Sequence, residues 1–113
     1  MKLLSIDTVP GQQIEALGMV KGAVVQTKHF GKDFMAGLKT LVGGEIVAYT
    51  EMLNEARQIA VKRMVDEAKT LGADAVVGIR YGSAQVMQGA AEVLAYGTAV
   101  KIVGPAKEGT VRL

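Results

Sequence analysis

Residues 71–82 read LGADAVVGIRYG, and the fold turns on what this stretch is. From Ala75 to Ile79 the run is apolar apart from one glycine, and it ends abruptly at Arg80 and Tyr81. It follows directly on Gly72 and is too short for another helix. Its β-branched content makes 73–81 a strand, and the lack of alternation makes it a strand buried on both faces. A cation closing such a strand must either reach water or find an acid.

Upstream, Met52, Ala56, Ile59, Ala60, Met64, Ala68 and Leu71 keep to one stripe over several turns, which predicts a long amphipathic helix across 45–71. Its other face sets Lys62 against Asp66 and Arg63 against Glu67, each pair four apart and worth a few tenths of a kcal/mol. Gly72 sits where a helix commonly ends in left-handed geometry. Before Gly43-Gly44, the residues Phe34, Met35, Leu38, Leu41 and Val42 recur at three and four, which predicts a short helix over 32–42. Earlier still, 14–27 is rich in β-branched residues and holds Gly18 and Gly22, so a long strand that bends or bulges is expected after a turn at Pro10-Gly11.

Downstream, a loop is expected over 83–90 and a last strand over 92–103. One face of that strand holds Leu94, Tyr96, Thr98, Val100 and Ile102; the other is narrow, with Val93, Ala95, Gly97 and Ala99. The elements assemble as an α+β domain of two layers, one long helix packed on an antiparallel sheet with a short extra helix. Residues 1–104 form this single domain, and 105–113 are a tail without periodicity. One helix covers one sheet face. The other face is expected to be apolar, as Val76, Val93 and Ala99 indicate, and to be buried against copies of the same chain.

Composition points the same way. Half of the 113 residues are hydrophobic, yet only three Tyr and two Phe are aromatic, so small aliphatic side chains must form the core. A chain of this length has much surface per unit volume, which favours self-association to cover excess apolar groups. Thirteen Lys or Arg against eleven Asp or Glu predicts no particular charged partner. The absence of Cys excludes disulfides, thiolate metal sites and cysteine nucleophiles, and is compatible with the cytoplasm. The opening MKLLSIDTVPG is too short for a secretory signal core, and no segment approaches the roughly 20 apolar residues of a membrane span.

Four ordered blocks then carry a family resemblance: VGGEIVAYTEMLNEAR at 42–57, the following A-x-x-R-M-x-x-E-A, LGADAVVGIRYG and EVLAYGTAV. Together they resemble the YbjQ-like family from about residue 14 to 103. The resemblance implies a dodecin-like β-α-β-β subunit and a homopentameric ring in which short extra strands bridge subunits. It also brings a heavy-metal-binding label.

The available ligands give that label little support. Soft metals favour Cys or Met sulfur and borderline ones favour His, but Cys is absent and His29 is alone. His29, at a strand-to-helix junction, reads as an exposed loop or capping residue, although ring symmetry would gather its copies. Met35, Met52 and Met64 are explained by packing. Glu51 and Glu55, four apart, present a carboxylate pair suited to a hard cation, but read better as a solvated helix face. No cofactor is expected.

Arg80 and Tyr81 are the leading ligand-binding candidates, with Glu92 across the hairpin as the acid for Arg80, and Tyr49 and Tyr96 as pocket-lining rings. The plainer reading is a structural ion pair near a subunit boundary. Other searches are empty: GPAKEGT lacks the Lys of a phosphate loop, GxGxxG and HExxH are missing, and one His cannot build a confident Ser-His-Asp set. The basic residues are dispersed among acids, without the basic stripe and free aromatics of a nucleic-acid surface. Three classes of function remain: a non-enzymatic homo-oligomer binding a small ligand at inter-subunit clefts, a metal-binding module, and an enzyme with a composite site from Glu55, Arg80, Tyr81 or Glu92.

Overall fold

The structure, a computed structural model, describes residues 1–27 and 43–106, and for 43–49 only the backbone. In chain order the elements are β1 (Lys2–Leu3), β2 (Gln12–Thr27), α1 (Gly43–Thr70), β3 (Ala75–Met87) and β4 (Ala90–Pro105). The strands form one sheet in the order β1-β3-β4-β2. β2 and β3 each run antiparallel to β4, and the two-residue β1, which the sequence did not announce, runs parallel to β3. One helix lies across this sheet, giving the expected α+β architecture. The expected short helix at 32–42 lies outside the described residues, as do His29, Met35 and residues 107–113.

The stripe on α1 does what its spacing predicts. Met52, Ala56, Ala60, Met64 and Ala68 are buried, and all but Met52 join Val20, Val24, Val76, Val93, Ala95 and Ala99 of the sheet in one core. Full burial of a side chain such as Met64 contributes about 2 kcal/mol. Small residues bring the layers together. At the crossing, a Cβ on Gly22 would collide with the backbone of Ala60 and Met64 and lie 2.8 Å from Arg63 Cβ, so helix and strand touch backbone to backbone. Leu71 leaves the stripe and is exposed, because the chain has already turned at the helix end.

That end is a Schellman motif. Gly72 has φ 75°, its N–H donates to Lys69 O at 3.0 Å, and the Ala73 N–H reaches back to Ala68 O at 3.1 Å. Of the two expected charge pairs on α1, Lys62 and Asp66 meet at 3.0 Å. Arg63 does not pair with Glu67. Its Nη1 instead donates to Ala23 O at 2.6 Å, tying the helix to the edge strand β2.

Two expectations about the sheet are corrected. Val76, Val93 and Ala99 do not mark the uncovered face, since all three lie beneath α1. And 83–90 is not a loop: β3 runs on to Met87, and only Gln88 and Gly89 turn the chain into β4. The cause is a bulge. Gly78 has φ 63° and the register slips between Val77 and Arg80, after which small and polar residues continue the strand through pairing with β4 rather than through burial. Only Ala75, Val76 and Val77 of β3 are fully buried.

The face away from α1 is half covered. Val9, Leu4, Ile14 and Ile102 pack over Ala75, Val77 and Val100. Pro10 and Gly11 (φ 75°) place Gln12 N–H 3.0 Å from Val9 O, the signature of a type II turn, and so fold the first residues back onto the sheet. Those residues bond to β3 as far as Ile79, through Leu4 N to Val76 O, Gly78 N to Ile6 O and Ile79 N to Leu4 O. Beyond them the face carries Met19, Val25 and Tyr96, with exposures of 74 %, 55 % and 37 %.

Candidate functional site

Where the N-terminal segment stops, two adjoining grooves open between it, β3 and α1. One, of about 320 Å³, is lined by Arg57, Gln58, Val61, Lys62 and Tyr81. The other, of about 270 Å³, is lined by Leu3, Leu4, Ser5, Val61, Ile79 and Tyr81. Tyr81 and Val61 form the wall they share. Tyr81 stands on the helix side because it pairs with Ala95, a core residue of that side, and its ring is more than half exposed.

The alternation of a strand sends its neighbour the other way. Arg80 pairs with Tyr96 on the opposite face, where Nη1 donates to Ser5 O at 2.8 Å and to Ile79 O at 2.9 Å. It thereby fixes the carbonyl of a residue that lines the second groove. Glu92 is not its partner. Glu92 pairs with Ala84, four residues along β4 from Tyr96, and this puts it about 13 Å from the Arg80 position. Tyr49 belongs to the first turns of α1, and its side chain lies outside the described residues.

Thus Arg80 and Tyr81 are adjacent in sequence and opposed in space. Tyr81 is in the grooves, Arg80 and Glu92 are on the far face, and Glu55 is exposed on the helix. A single chain does not gather them. Of the groove residues, Val61 and Gln58 were not singled out from the sequence, and Lys62 was read only as a charge partner of Asp66 on an ordinary helix flank. Lys21 was also passed over. The alternation of buried Val20, Gly22 and Val24 with exposed Lys21, Ala23 and Val25 marks it as facing away from the helix.

The grooves hold a mostly apolar floor with two cations at one end, and both cations are engaged. Arg57 Nη1 donates to Asn54 Oδ1 at 2.6 Å and Lys62 binds Asp66. The arrangement suits an amphipathic contact more than proton transfer. Among the described residues no group of three or more His, Cys, Asp or Glu is placed to hold a metal ion. Glu51 and Glu55 are exposed hard-oxygen donors, and His29 is outside the description. The described oxygen donors of one chain therefore do not fit a soft heavy metal.

Comparison with known proteins gives a consistent lineage. A family model described as "Putative heavy-metal-binding", YbjQ, matches residues 1–103. The chain is 61% identical over 103 residues to a UPF0145 protein of Clostridium novyi, covering 91% of this chain and 100% of that one. It is 58% identical over 105 residues to a UPF0145 protein of Thermus thermophilus, covering 92% and 91% respectively. A crystal structure of a protein of unknown function from Pediococcus pentosaceus, assigned to the DUF74 family, superposes with a TM-score of 0.64 at 18% identity. It covers 90% of this chain and 97% of its own. At that identity the likeness concerns the fold.

Proposed function

Because this chain belongs to the YbjQ-like family of UPF0145 proteins, we propose that it works as a non-enzymatic homo-oligomer, closed into a pentameric ring as the family resemblance implies, with small-ligand sites at its inter-subunit clefts. One observation carries the reading: among the described residues, half of the sheet face opposite α1 is uncovered and presents large apolar side chains, with Met19 74 % and Val25 55 % exposed. Exposed apolar area of this kind is normally covered by association.

The sheet also ends in two strand edges that leave room for pairing. Among the described residues β2 has a neighbour on one side only, and β3 is covered by β1 and the following residues only as far as Ile79. Opposite ends of one sheet make a head-to-tail contact that closes into a ring when the rotation per subunit permits. A ring built this way brings the Tyr81 grooves, which lie beside the open part of β3, to subunit boundaries. The protein is expected to act in the cytoplasm with itself as its partner. No described helix is long and apolar enough to cross a membrane.

Native mass spectrometry at micromolar concentration tests the assembly. A single closed multimer is expected, and a well-behaved monomer overturns the reading. The family description favours metal binding as a second reading. Elemental analysis of untagged protein after dialysis decides it: a stoichiometric metal would place the donors across chains, and its absence would leave the first reading in place.

A further inference from the structure

The two grooves beside Tyr81 differ in what they offer. In the first, Arg57 and Lys62 stand at one end of an apolar floor, and among the described residues no acid lines either groove. Lys62 is balanced by Asp66 in an exposed pair four residues apart, a kind of pair worth little in water. Arg57 is not balanced. Its Nη1 donates to the neutral Asn54, and it makes no ion pair among the described residues. That bond steers the guanidinium and leaves most of its donors unused. In the second groove the backbone carbonyls are already taken, since those of Ser5 and Ile79 accept from Arg80 and that of Leu4 from the Ile79 N–H. What remains there for a visitor is the apolar side chains of Leu3, Leu4 and Ile79.

We infer that the joined grooves bind an anionic amphiphile, a small molecule with one carboxylate on a short apolar chain. The inference rests on the homo-oligomeric reading, which sets these grooves at subunit boundaries, and it names the chemistry they take. The carboxylate sits against Arg57, whose unused edge offers parallel N–H donors, and Lys62 adds a second positive charge. The chain then crosses Val61 and the Tyr81 ring and ends over Ile79 and Leu4. Joined through that shared wall, the grooves reach the size of small-molecule sites, about 300–1,000 Å³. The unlike ends fix the direction of the ligand. A cationic head would be repelled by Arg57, and an anion without a chain would leave the apolar end exposed to water.

Calorimetric titration of the full-length protein with octanoate, acetate and octylammonium tests the site, with native mass spectrometry alongside to report the assembly. Octanoate should bind with a Kd of about 1 mM or tighter, and the other two at least about tenfold more weakly. Methyl NMR should place the shifts caused by octanoate at Val61, Ile79 and Leu4. R57E should reverse the preference, so that octylammonium binds at least about threefold more tightly than octanoate. Arg57 is exposed, so circular dichroism should show this variant folded. No binding of octanoate, equal binding of octylammonium, an unchanged preference in R57E, or shifts confined to other residues each overturn the inference. With a multimer in the mass spectrum, those results leave the homo-oligomer standing. Co-sedimentation with anionic phospholipid vesicles without binding of octanoate also overturns it, in favour of a membrane surface. A monomer that binds octanoate at Val61 overturns the assembly and keeps the groove.

Discussion

A methyl group added at Gly22 has nowhere to go, because its site is filled by the backbone of Ala60 and Met64. Backbone cannot swing aside as a side chain does. Gly22→Ala should therefore cost about 3 kcal/mol or prevent folding, measured as a drop in the chemical denaturation midpoint. Gly82 supplies the contrast: nothing lies within 4 Å of its missing Cβ and its φ is not positive. Gly82→Ala should be neutral or stabilise by up to about 1 kcal/mol in the same assay. Both glycines interrupt strand-like sequence in the same way, and only the packing of α1 distinguishes them. At this scale the sequence was hard to read. Arg80 and Tyr81 could be picked out as unusual, but the partner proposed for Arg80 was a carboxylate, whereas a turn that folds residues 1–11 back supplied the carbonyl of Ser5.

At the scale of elements, the signals that proved legible were the ones written in local geometry. The stripe on α1, its glycine stop and the turn at Pro10-Gly11 depend on spacing and on backbone freedom within a few residues. All three stand as read, except that Leu71 falls outside the stripe. Since Gly72 holds φ 75° in the Schellman turn, Gly72→Ala should cost about 1 kcal/mol, read as a lower melting temperature with the fold retained. The far half of β3 was illegible for a physical reason. Gly82, Ser83, Ala84 and Gln85 have weak strand preference and little burial, and they are extended because β4 is there to pair with them. The same holds for β1, two residues whose strand character exists only beside Ala75 and Val76.

At the scale of the molecule, composition forecast a surplus of apolar surface, and part of it lies in the patch around Met19, Val25 and Tyr96, with more at Val86 and Met87 near the hairpin end. The residues expected to show it were the wrong ones. An unbroken apolar run does not say which of its two sides the helix will take. If association covers the patch, the melting temperature should rise with protein concentration, whereas a monomer's would not move. The contact at Gly22 bears on motion as well. Between most packed layers, interdigitated side chains can trade places and let one element glide a little over another. Here main chain bears on main chain, and Arg63 fastens the same spot through Ala23 O. The helix therefore has no soft cushion on which to slip, and it and β2 should open together. In a hydrogen-exchange experiment, amides of Val24 and Met64 should lose their protection as one unit.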